Sequence, residues 1–137
     1  MTDEKKRELY ALAEEARGRS YSPYSGVSVG AALLTDSGRI YIGSNVENAA
    51  YSPSVCAERV AIFKAVSEGE RRFVAIAVAG GRSGERSADC FSPCGVCRQV
   101  LSEFCDGELE VILREGESVT SHRLDGLLPL AFNKGHL

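Results

Sequence analysis

The sequence predicts an α/β protein: a three-layer α/β/α sandwich around a single mixed sheet of about five strands. Helical and strand-like segments alternate along the chain, in the order helix, strands, helix, strand, helix, strand. One segment, Phe73 to Ala79, is almost continuously apolar, the pattern of a strand covered on both faces. The 137 residues are 44% apolar, enough for one core, and hold no repeat, linker or low-complexity stretch. A single domain spanning residues 1–137 follows.

The elements can be justified in order. Asp3 to Ala16 is an amphipathic helix, with Leu9, Leu12, Ala13 and Ala16 on one face and Gly18 stopping it. Tyr21 to Gly26 is a turn-rich loop. Val27 to Leu34 and Ile40 to Gly43 are strands joined by a hairpin turn at Asp36-Ser37-Gly38. Cys56 to Glu68 has helical periodicity through Val60, Ile62, Phe63 and Val66. After the Phe73 strand, Cys94 to Phe104 is helical, with Cys97, Val100, Leu101 and Phe104 on one stripe. Leu109 to Leu113 reads as a strand and Leu124 to Leu130 as a short helical turn.

Composition narrows the function. The formal charge of -3, without basic runs, tells against a nucleic-acid partner but leaves room for a single nucleoside in a pocket. No apolar run reaches the roughly 18 residues of a membrane span, and no signal core follows the charged N-terminus. A cytoplasmic protein is expected, in which the five cysteines are thiols or metal ligands rather than disulfides.

Three of those cysteines form a constellation. Cys56 opens Cys56-Ala57-Glu58, while Cys94 and Cys97 lie in Pro93-Cys94-Gly95-Val96-Cys97. Both segments sit at expected helix starts, where free N–H groups favour thiolates. Three thiolates and a nearby carboxylate have the composition of a catalytic Zn²⁺ site with one open position. Glu58 is placed to move protons, and Arg59 to donate hydrogen bonds to the thiolate sulfurs. A closed structural site with Cys90 as fourth ligand competes on spacing alone; the Cys-Ala-Glu context tells against it. Cys105 reads as a packing residue, and His122 and His136 as surface residues.

Cys-x-Glu followed by Pro-Cys-x-x-Cys is the signature of zinc nucleobase deaminases. More closely, the chain resembles the small homotetrameric zinc-dependent cytidine deaminases. The resemblance is carried by Tyr21-Ser22-Pro23-Tyr24-Ser25, Val29-Gly30-Ala31-Ala32, Asn45-Val46-Glu47-Asn48-Ala49-Ala50-Tyr51, Cys56-Ala57-Glu58-Arg59, Ser92-Pro93-Cys94-Gly95-x-Cys97-Arg98-Gln99 and Leu127-Leu128-Pro129-Leu130-Ala131-Phe132. It implies one zinc per subunit and hydrolytic attack at C4 of cytosine in cytidine or deoxycytidine, a step of pyrimidine salvage. Glu58 would protonate N3 and then help ammonia leave. Asn45 and Glu47 would grip the ribose 3′-hydroxyl; their spacing of two puts both side chains on one side of an extended segment. Tyr51 and Phe132 would reach into a neighbouring subunit's site, Ala57 would line the substrate pocket, and Gln99 would support the metal site beside Arg59.

One position departs from the family. Val27 stands where these enzymes usually carry the Phe that lines the base pocket. Either the pocket is widened toward pyrimidines substituted at N4 or C5, or a neighbour compensates. Two further functions compete: deamination of another cytosine-bearing molecule, such as a nucleoside antibiotic, and nucleoside binding without turnover. The Asn45/Glu47 pair counts against the first and Glu58 against the second.

Overall fold

A computed structural model describes residues 1–137. Helix α1 (Asp3–Ala16) leads through a short 3-10 turn to strand β1 (Val27–Thr35), followed by β2 (Ile40–Ser44), α2 (Ala57–Ser67), β3 (Phe73–Arg82), α3 (Gly95–Phe104), β4 (Glu110–Glu115), β5 (Ser118–Arg123) and the short α4 (Leu124–Leu127). The five strands form one sheet in the order β2-β1-β3-β4-β5. Only β3 and β4 run parallel; the other neighbours are antiparallel. The sheet is therefore mixed, and helices cover both faces.

The two-residue period of the strands sorts the core into two halves. Val29, Ala31 and Leu33 of β1, Ile76 and Val78 of β3, and Val111 and Leu113 of β4 meet Ala57, Ala61, Ile62, Ala65 and Leu101 of α2 and α3. The alternate residues Ala32, Leu34, Ala75, Ala77, Ala79 and Ile112 meet Leu9, Tyr10 and Ala13 of α1. Strand β3 is buried from Ala75 to Gly81, which is why its sequence shows no alternation. It runs to Arg82, beyond the expected Ala79, because Gly80, Gly81 and Arg82 pair with Val29, Ser28 and Val27.

The last helical turn and the fifth strand also differ from expectation. The helical turn expected to reach Leu130 ends at Leu127, before Pro129 and a left-handed backbone at Leu130 (φ 53°). Strand β5 carries no apolar alternation: it is Ser-Val-Thr-Ser-His-Arg on the sheet's edge, largely exposed and held by pairing with β4. His122 lies on it, at the surface.

One glycine sets where α2 begins. A Cβ on Gly43 of β2 would stand 2.2 Å from the Ala57 carbonyl oxygen and 2.7 Å from the Ala61 nitrogen. Its absence lets the first turn of α2 lie on the sheet, which fixes the height of the two residues flanking Ala57: Cys56 and Glu58.

Candidate active site

Cys56 is the N-cap of α2 and Cys94 the N-cap of α3; both have extended backbones, and neither sulfur is used as a cap acceptor. Cys97 follows in the first turn of α3 and is buried. The three sulfurs lie within 4.8 Å of one another, with Cys56 and Cys94 3.9 Å apart. Tetrahedral zinc with Zn–S bonds of about 2.3 Å places its sulfurs about 3.8 Å apart, so the cluster fits the ion.

The charges around the cluster fit as well. The hydrogen bond from Cys97, followed by that from Arg59, pulls the Cys56 thiol down to about 5. The Arg59 guanidinium donates to Cys56 Sγ at 3.3 Å, as the sequence predicts. Cys97 is held well above the usual thiol range by its bond to Cys56 and by burial. The cluster thus carries thiolate character on Cys56, with a cation beside it to stabilise a metal-ligating sulfur.

Glu58 is only 4% exposed. Burial, with the negative charge of Cys56 adding to it, pushes its carboxyl up to about 7. Its Oε1 has no hydrogen-bond partner. A buried carboxyl oxygen normally has one; an unpaired one poised near neutrality suits a group that exchanges a proton with a ligand.

Glu58 opens into a cavity of about 290 Å³ together with Cys56, Cys94, Arg59, Asn45 and Glu47. That is close to the roughly 300 Å³ lower bound for small-molecule sites. A larger cavity of about 740 Å³ lies between the end of α3 and the C-terminal tail; it holds none of the three clustered cysteines, so the chemistry belongs to the smaller one.

Comparison with known proteins agrees with this geometry. Residues 3–113 match the family described as cytidine and deoxycytidylate deaminase zinc-binding region. The chain belongs to that deaminase family. It is 48% identical over 130 residues to a cytidine deaminase of Sporosarcina psychrophila, covering 94% of this chain and 92% of that protein. Identity to a cytidine deaminase of Halalkalibacterium halodurans is 44% over 125 residues, covering 90% and 91%. The crystal structure of a cytidine deaminase from Burkholderia pseudomallei superimposes with a TM-score of 0.83 at 43% identity, covering 96% of this chain and all of that one.

The other residues that the sequence singles out sort by position. Asn45 and Glu47 share the cavity, as their spacing predicts. Asn45 is buried: its Oδ1 accepts from the Val29 N–H (2.9 Å) and Ser20 Oγ (2.6 Å), and its Nδ2 donates to the Val27 carbonyl (2.9 Å). One amide hydrogen is left for a ligand. Glu47 accepts from the Tyr24 and Ser25 N–H groups at 3.0 and 3.1 Å and from the Ser25 hydroxyl, bonds that hold it below the usual carboxylate range.

Five expected residues lie outside the wall of this cavity. Val27 packs against the core beside the cavity and is not in its wall. Ala57 is wholly buried beneath the first turn of α2, held there by the Gly43 contact, and presents no surface to a substrate. Tyr51 is 72% exposed and edge-on to Tyr24, in an adjoining cavity that shares Glu47 and Ser54 with the first. Phe132 is exposed in the tail and stacked on His136. Gln99 is corrected outright: its amide donates to the Phe132 carbonyl at 2.9 Å and pins the tail, rather than reaching a thiolate.

Two residues escaped the sequence reading. Arg98 donates to the carbonyls of Pro93 (2.8 Å) and Leu127 (2.6 Å) and to Ser92 Oγ (3.1 Å), bracing the loop that carries Cys94. Its place just after Cys97 was the available signal. Phe91 lines the cavity, and nothing in its spacing announces that.

Proposed function

We propose that the chain catalyses hydrolytic deamination of cytidine and deoxycytidine, giving uridine or deoxyuridine and ammonia. The observation that carries this reading is the buried carboxyl of Glu58, its Oε1 unpaired, sharing one cavity with Cys56, Cys94 and the Asn45/Glu47 pair. When held by Cys56, Cys94 and Cys97, zinc supplies Lewis-acid activation of water. The chain's own residues do the rest. Glu58 takes a proton from the attacking water and delivers it to N3 of the ring as the C4–O bond forms. It then carries water's second proton to the amine, and the C4–N bond breaks to release ammonia. Asn45, with one free amide hydrogen, and Glu47, an ionised acceptor, hold the ribose 3′-hydroxyl from its two hydrogen-bonding sides. Arg59 keeps Cys56 as thiolate.

The same reading includes a homotetramer with shared sites. Tyr51 and Leu130 both adopt left-handed backbones and are 72% and 104% exposed, and Phe132 is 59% exposed. Non-glycine residues held this way cost energy unless something uses them, and a neighbouring subunit would. No helix is long and apolar enough to cross a membrane; we place the protein in the cytoplasm, where its thiols stay reduced.

The deciding assay mixes zinc-loaded protein with cytidine and follows uridine and ammonia, with Glu58→Ala in parallel. Turnover by the native protein that is abolished in the variant is expected. A zinc-loaded native protein that releases no ammonia overturns the reading.

A further inference from the structure

The cavity holding Glu58, Asn45 and Glu47 has a single aromatic side chain in its wall, Phe91, from the loop that enters α3. Phe91 is half-buried and packs on the same core half as Val29 and Val78. Its seat is the backbone of β3. A Cβ on Gly80 would stand 2.4 Å from both Cδ1 and Cε1 of the ring and 2.8 Å from Cγ. Only a residue without a side chain lets the ring lie there.

That seat is next to position 27. Gly80 is registered against Val29, and Arg82 against Val27. Residues two apart on a strand share a face and lie about 7 Å apart. Val27, Val29 and Phe91 all pack on one core half, yet only Val29 and Phe91 reach the cavity. A ring on β1 at position 27 and a ring at Phe91 would compete for the same region of wall. The valine leaves it to Phe91.

We propose that Phe91 is the residue that packs on the pyrimidine base, taking the place of the usual aromatic at position 27, so that base recognition comes from the α3 entry loop and Gly80 rather than from β1. This rests on the deaminase reading for the identity of the ligand.

The test uses zinc-loaded native protein, Phe91→Leu, Phe91→Met and the double variant Phe91→Leu/Val27→Phe. Uridine affinity is measured by calorimetry, cytidine kcat and KM by ammonia release, and zinc content and Tm alongside. Loss of one aromatic–base contact is expected to weaken uridine binding and raise KM about three- to tenfold, with kcat within about twofold. Zinc content stays native, and the ring restored at position 27 recovers affinity. Whichever single variant keeps its zinc and its fold decides: affinity and KM within about twofold of native overturn the proposal. A native protein that binds uridine but does not deaminate cytidine overturns the deaminase reading alone. Unchanged Phe91 variants of an active enzyme overturn this inference alone.

Discussion

Glu58 and Arg59 are adjacent in sequence and opposite in what Cys56 does to their charges. The carboxyl is 4% exposed, and its charge is disfavoured by desolvation and by Cys56. The guanidinium is favoured as a cation by its bond to Cys56. Exchange of Glu58 for Gln keeps shape and packing and removes only the proton carrier. A fall in kcat of about 10²- to 10⁴-fold with full zinc content is expected; kcat within about tenfold of native would remove Glu58 from the chemistry. Arg59→Ala acts on the metal instead. Loss of a group that supports a metal ligand weakens metal binding about ten- to a hundredfold, which a competition titration against a chelator reads directly. Cys105 is the contrasting thiol. Burial, with Asp106 adding, holds it up to about 12. At pH 8 its thiolate fraction is then about 10⁻⁴. Alkylation by iodoacetamide at that pH should leave Cys105 unmodified, and Cys105→Ala should keep activity.

At the scale of elements, the site is two helix starts laid on a sheet, and glycines decide how closely they lie. Gly43→Ala would drive a Cβ into the Ala57 carbonyl at 2.2 Å. Overpacking of this kind costs about 1–3 kcal/mol, so Tm should fall. Because the strain falls between Cys56 and Glu58, zinc affinity and kcat should fall with it, while a surface glycine such as Gly18, with nothing within 4 Å, should tolerate alanine in both respects. This also explains what was legible in the sequence. Periodicity finds α1, α2, α3 and the buried strand because their apolar faces are long. Cys56, Glu58, Cys94 and Cys97 are legible because metal chemistry fixes both residue type and spacing. Strand β5 is not, since an exposed edge is specified by its partner β4 and not by its own side chains. Phe91 is not, because its seat depends on a backbone gap at Gly80, 11 positions earlier, that only the folded register brings beneath it. Gln99 misleads for a related reason: its position near Cys97 along the chain hides that its helix face turns toward the tail.

For the molecule as a whole, the groups proposed to be catalytic lie in one chain, around a cavity that is open to solvent. The cavity around Glu58 adjoins the one lined by Tyr24 and Tyr51, and both open to solvent in the isolated chain. The tail that carries Phe132 is anchored on α3 through Gln99, which holds the ring in place without bringing it into this chain's own cavity. If Phe132 and Tyr51 close a neighbour's pocket, truncating either should lower kcat/KM by about ten- to thirtyfold, the loss of a buried aromatic anchor, although neither lines the cavity around its own chain's Glu58. Sharing of this kind makes a stronger prediction. Glu58→Ala and Phe132→Ala, each impaired alone, should complement when co-expressed. Under shared closure, a mixed oligomer would contain sites in which an intact Glu58 from one subunit faces an intact Phe132 from another. Activity above the weighted mean of the two parents is the expected result, and it should fall on dilution below the assembly concentration. A co-expressed sample no more active than that mean, with mixed oligomers confirmed by mass, would show that each chain closes its own pocket.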